Sequence, residues 1–276
     1  MKLKNFAPIV GLMDSIKIFK EKWQFVLQAV ISDLFFLFLY GFVWGGIGFK
    51  IQEYSVAVAG LIQKKSSLLV KGQFGTSLID LIKQDSLIKF YLNKLILLII
   101  ILAVFTYIMY CIFQSFSWRM ADIFSEIPFY KYMLQFGILN IFWFFLISVY
   151  YALFAFFDFS LTLMQRLGNI PSKAPLILLN IFLGVALYFA FISYPLIGKF
   201  GILKIIRKTF SIGVLKIKKI MPMYLVVVII LMVLNYFLAL FFMLHVKAMI
   251  VAGIVIALPV VSLIRIYIIK VVNGCL

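Results

Sequence analysis

The stretch KFGILKIIRKTFSIGVLKIKKIMPMYLVVVIILMVLNYFLALFFML, residues 199–244, decides the fold. At helical spacing Ile202, Leu203, Ile205, Ile206 and Phe210 fall on one side, and Lys204, Arg207, Lys208 and Ser211 on the other. That pattern reads as an interfacial helix over about 200–212. Beyond Gly213 the phase breaks, and Lys216, Lys218 and Lys219 crowd ahead of Pro222. Proline suits the first turn of a new helix, where its missing N–H has no partner to lose. From Met223 to Leu244 there is no charge, which matches the roughly 20 residues needed to cross a hydrocarbon core of about 30 Å. Seven basic residues and no acid precede this span, so the positive-inside rule assigns the segment to the cytoplasm. A nucleic-acid surface fits the run less well, because its apolar half would then face water.

The rest of the chain extends this reading. Of 276 residues, 66% are hydrophobic and 13% charged, against roughly 25% charged in soluble domains. Mean hydropathy is +1.17. The expected fold is all-α, a polytopic membrane bundle of about six transmembrane helices forming a single domain over 1–276, with the bilayer as its core. The spans are expected at about 23–48, 92–113, 134–157, 176–197, 223–244 and 249–272, and interfacial helices at about 8–22, 76–91 and 200–212. In the first of these, Leu12, Ile16, Phe19 and Trp23 form an apolar stripe opposite Asp14, Lys17 and Glu21. The segment 49–93 is expected to hold two amphipathic pieces, 54–70 and 76–91, parted by Gly72 and Gly75. Pro259 should kink the last span. An even number of spans and the Lys and Arg distribution put both termini on the cytoplasmic side of the cell membrane. The formal charge of +17 reads as loop retention and attraction to the bilayer's anionic headgroups, with no nucleic-acid partner. Lys204, Arg207, Lys208, Lys216, Lys218 and Lys219 are the expected headgroup contacts.

Asp33 is the sharpest candidate for chemistry. It lies about ten residues into the first span, near the midplane, where an acid is costly unless paired or protonated. It reads either as a proton or cation site or as a structural carboxyl held by Ser32, Asn235 or another polar neighbour, or by Arg265; Asp33, Asn235 and Arg265 form the candidate intramembrane site. Arg265 is expected to snorkel to the surface. Asn140, Asn180 and Asn235 suit interhelical hydrogen bonds. Gly41 and Gly45 read equally as a close-packing pair or as glycines a span tolerates. Arg119, Asp122 and Glu126 suggest a salt-bridged patch. The lone His245 rules out multi-histidine metal sites, Cys111 and Cys275 are too few for a thiolate site, and no metal or cofactor is expected. No phosphate-binding loop or nucleophile motif is present, so the chain is not expected to be an enzyme.

Two pieces, Gly168-Asn169-Ile170-Pro171-Ser172 and Lys208-Thr209-Phe210-Ser211, resemble the uncharacterised multi-span domains grouped with the membrane domain of glycerophosphodiester phosphodiesterases. In such proteins the hydrolase is a separate soluble domain, and this sequence holds none, so the resemblance implies a membrane domain without activity. The leading expectation is therefore a non-catalytic envelope or accessory membrane component, alone, as a homo-oligomer or with another membrane protein. The alternatives are a small-solute or ion transporter using a midspan acid, and an intramembrane enzyme acting on lipid.

Overall fold

Long apolar runs that lack proline leave the backbone no way to satisfy its polar groups in lipid except as helix. In the computed structural model, residues 7–69, 85–122, 127–166 and 174–276 are described, and helix accounts for 93% of the structure. Among the described residues six helices are long and apolar enough to cross a membrane: Trp23–Lys64, Ser86–Ala121, Phe129–Asp158, Ala174–Leu196, Ile217–Met243 and Val246–Asn273. The chain is thus a multi-pass helical membrane protein. It divides into two compact units, one comprising Met1–Leu34 and Cys111–Leu276, the other Phe35–Tyr110.

The first long helix corrects the expected loop. α2 (Trp23–Val43), which follows α1 (Ala7–Glu21), passes through a π-helical turn at Trp44–Gly48 directly into α3 (Phe49–Leu69). The glycines near residue 45 widen one helical turn instead of ending the helix, and Gly48 sits under the Trp44 ring, where a Cβ would fall 3.1 Å from it. Residues 54–69 of the expected piece 54–70 are therefore a continuation of the first span, and residue 70 lies outside the described residues. The 42 residues from Trp23 to Lys64 reach roughly 63 Å at the helical rise of about 1.5 Å, well beyond a core of about 30 Å. Asp85 Oδ1 then accepts from the N–H groups of Leu87 (2.8 Å) and Ile88 (3.3 Å), capping α4 (Ser86–Ala121). Of the expected 76–91 helix, residues 76–84 lie outside the described residues and 86–91 already belong to α4.

Within the unit Phe35–Tyr110 the two helices run antiparallel, since Phe36 meets the Tyr110 ring (6.2 Å) and Tyr54 meets Tyr91 (5.7 Å). Nothing lies within 4 Å of a Cβ built on Gly41 or Gly45, so no described helix uses the pair for close approach.

The larger unit is built from α1, the adjoining ends of α2 and α4, and α5 (Phe129–Arg166), α6 (Ala174–Ser193), α7 (Ile202–Leu215), α8 (Ile217–Leu244), α9 (Val246–Ala252) and α10 (Leu258–Asn273). α1 packs on α10 through Gly11, whose missing Cβ leaves room for Val271 and Tyr267, and through fully buried Ser15. Of the expected apolar stripe, Ile16 and Trp23 face outward and Leu12 and Phe19 are half-buried. α5 lies against α6, and Asn140 accepts from the Tyr194 hydroxyl (2.9 Å) while Asn180 accepts from that of Tyr150 (3.0 Å). These are the expected interhelical bonds, but Asn235 on α8 is exposed. Pro222 is the sixth residue of α8, not part of its first turn.

In the last span, α9 meets α10 through a π-helical stretch, Gly253–Ala257, where the Leu258 N–H reaches back to the Gly253 carbonyl. Pro259 lacks an N–H and crowds the preceding turn, so the extra residue in that turn relieves the clash. His245 ends α8, and its Nδ1 accepts from the Lys247 N–H (3.1 Å), a capping role.

Between α6 and α7 the chain makes a tight, buried elbow. Tyr194, Pro195, Leu196 and Ile197 are buried, and Gly198 takes φ +84°, which reverses the chain. Its N–H donates to Gln135 Oε1 of α5 (2.9 Å). Trp118 and Phe136 flank the Tyr194 ring at 4.8 and 5.3 Å, so the elbow is seated in the aromatic core of the bundle.

Candidate functional site

Asp33 stands in the first half of α2, and antiparallel pairing sets it opposite the last turns of α4. Ser32 donates to the Phe113 carbonyl (3.0 Å) and holds the two helices in register. Gln114 Nε2 then donates to Asp33 Oδ1 (3.0 Å), and the Ser117 hydroxyl to the same oxygen (2.9 Å). α10 supplies the counter-charge. Arg265 Nη1 donates to Asp33 Oδ2 (2.6 Å) and Nη2 to Oδ1 (3.1 Å), a two-pronged fork. Nη2 also donates to Gln114 Oε1 (2.8 Å), and the guanidinium lies 6.0 Å from the centre of the Trp118 ring. The side chains are only 7% (Arg265) and 4% (Asp33) exposed.

This geometry corrects two expectations and settles a third among the alternatives. Arg265 does not snorkel, because every residue from Ile264 to Ile269 is buried; α10 is enclosed on all sides and offers no path along lipid to the surface. Asn235 takes no part in the cluster. Of the partners considered for Asp33, Arg265 is the one that binds it. Gln114 and Ser117 completed the site unnoticed at the sequence level. The absence of Gly or Pro between Leu95 and Ala121 was the available signal that the helix continues past residue 113 and carries these side chains into the bundle.

Chemically the cluster is closed. Asp33 Oδ1 accepts three hydrogen bonds, and the guanidinium that neutralises the carboxylate also takes up Gln114. A cation would have to displace Arg265, and an anion would have to displace Asp33. Three helices, α2, α4 and α10, are tied at one point inside the bundle.

A second polar group lies at the ends of α4 and α10. Asp122, just beyond the last turn of α4, lines a cavity of 120 Å³ together with Ile18, Ile266, Ile269, Lys270 and Asn273. Lys199, from the elbow, donates to Asn273 Oδ1 (2.5 Å). Of the expected salt-bridged patch, Arg119 Nε and Nη2 both donate to the Ile127 carbonyl (3.1 and 2.7 Å), and Glu126 lies outside the described residues. Burial pushes the Asp122 carboxyl above its ordinary 3.8, with Lys199 pulling it back. Burial likewise lowers Lys199, which Asp122 partly opposes. A carboxyl with a raised folded pKa costs stability while ionised, and the cost fades as pH falls through that raised value. Asp122→Asn should therefore melt higher than the wild type at neutral pH, with the gain closing as the solution is acidified. A constant difference across pH in a thermal-shift series would show that the carboxyl's charge is not the cause.

Among the described residues no group of three or more His, Cys, Asp or Glu could hold a metal ion. No family model, curated protein or solved structure matches the chain.

Proposed function

We propose that the chain is a non-catalytic, multi-pass component of the cell membrane, of envelope or accessory type, in which the intramembrane charges hold helices together. The observation that supports this reading is the closed Asp33–Arg265–Gln114–Ser117 cluster, in which each charge is already paired and hydrogen-bonded within the bundle. The basic collar before α8 supports a cytoplasmic position for both termini. The pieces at 168–172 and 208–211 fit a kinship with membrane domains that carry no hydrolase. The first of them lies outside the described residues.

One observation favours a transporter as the second reading: α10, which carries Arg265, begins at a π-helical stretch, a feature frequent at functional sites. A transporter would have to open the Asp33–Arg265 pair during its cycle. The two readings separate in protein reconstituted into liposomes. Proton or cation flux abolished by Asp33→Asn, in a variant that still reconstitutes and melts cooperatively, would sink the structural reading. Background flux in wild type and variant alike across pH is the expected result. The intramembrane-enzyme alternative draws no support, since Asn235 lies away from Asp33 and Arg265.

A further inference from the structure

α7 divides its circumference into three sectors. One is buried: Ile205, Thr209, Ile212 and Gly213 face α6, where a Cβ at residue 213 would fall 2.5 Å from the Phe189 ring and the Gly213 carbonyl accepts from the Tyr188 hydroxyl (2.8 Å). A second is apolar yet open, with Leu203 85% and Val214 61% exposed. The third is basic: Lys204 and Arg207 are exposed, and the Lys204 and Lys208 ammonium groups lie 5.4 and 3.9 Å from the centre of the Phe200 ring. Three more lysines, Lys216, Lys218 and Lys219, stand exposed at the joint with α8. No acidic residue occurs anywhere after Asp158, so nothing on α6, the elbow, α8, α9 or α10 neutralises this surface.

A soluble partner could satisfy the basic sector but would leave Leu203 and Val214 in water. A bilayer edge satisfies both at once, because hydrocarbon and phosphate lie a few ångströms apart there. The joint continues directly into α8, a membrane span, which holds α7 at the depth where the two layers meet. We propose that α7 and the joint form a binding surface for anionic phospholipid, with Lys204, Arg207 and Lys208 on headgroup phosphates and Leu203 and Val214 in the outer acyl chains. Each basic residue at such a surface favours anionic lipid by roughly fivefold. The inference stands whether or not the buried ion pair is structural.

The test uses the full-length chain with Leu203→Trp as a reporter, in vesicles of three parts phosphatidylcholine to one part phosphatidylglycerol. Bromine quencher is placed on the acyl chains of a quarter of the lipid, either all of the phosphatidylglycerol or an equal amount of the phosphatidylcholine. Emission of the parent chain, with its own four tryptophans, is subtracted. The expected result is that Trp fluorescence at 203 is quenched at least threefold more by the anionic lipid. The ratio should fall to about one in the Lys204→Gln, Arg207→Gln, Lys208→Gln variant and, in the wild-type background, in 1 M salt, where the screening length is only about 3 Å. Equal quenching by both lipids at low salt would overturn the proposal, as would no quenching by either, the outcome if an acidic protein or nucleic acid covers this face. The salt arm keeps the test decisive if the triple variant does not fold.

Discussion

Arg265→Met is expected to lower the unfolding free energy by about 3–5 kcal/mol, because it leaves Asp33 buried with no counter-charge. The remaining bonds from Gln114 and Ser117 do not replace a two-pronged guanidinium. Asp33→Leu should be costly for the mirror reason, stranding Arg265 among Ile264, Ile266 and Trp118 with only Gln114 to accept from it. The double variant Asp33→Leu, Arg265→Met removes both charges and both desolvation penalties, and it should recover most of the loss. Replacing a buried pair by apolar residues of similar size is often close to neutral. Denaturant unfolding of the four proteins in one detergent gives the coupling energy directly. If the double variant were as unstable as the sum of the singles, the pair would not be the unit that ties α2, α4 and α10.

The second large effect is expected at the elbow. Gly198 takes φ +84°, where an L side chain costs roughly 1–2 kcal/mol, and a Cβ there would lie 2.5 Å from Ile127 Cδ1. The Ile127 methyl can rotate away for Gly198→Ala, so the backbone term should dominate and the loss should be about 1–2 kcal/mol. Gly198→Val adds a branched Cβ between Ile127 and Tyr132, so it should lose more and free the Gly198 N–H from Gln135. Gly184→Ala is the control: it lies inside α6 with open space around its Cβ, and it should be neutral or slightly stabilising, since alanine favours helix over glycine by about 0.5–1 kcal/mol. Equal melting temperatures for Gly198→Ala and Gly184→Ala would show that the elbow does not depend on glycine.

Most of the architecture could be read from composition, and the exceptions have physical causes. The last four spans were located to within a few residues at one end or the other, because hydrocarbon admits only uncharged runs of sufficient length. The errors fall where helix outlasts apolarity. Span 1 continues past Gly48 to Leu69 because consecutive glycines permit a π turn without forcing a stop, and α4 extends from Ser86 to Ala121, well beyond its apolar centre. Hydropathy marks the part of a helix that meets lipid, whereas backbone hydrogen bonding decides how far the helix goes. Asn140 and Asn180 found partners on neighbouring helices and Asn235 did not, a difference set by which face of each helix turns inward.

The basic run at 199–221 shows the same division. By itself the sequence determined that the protein is a bundle of membrane-crossing helices, that a basic amphipathic segment leads into the fifth, and that Asp33 is a charge at hydrophobic depth while Arg265 falls within the last apolar run. Each follows from local spacing and the cost of charge in lipid. Only the tertiary structure decided that these two charges meet, that Gln114 and Ser117 complete their cluster, and that α7 keeps one sector for the bundle and leaves two outward. The reason is rotational: a helix of 3.6 residues per turn carries its side chains to every azimuth, and which azimuth faces a neighbour is set by packing between segments up to 232 residues apart.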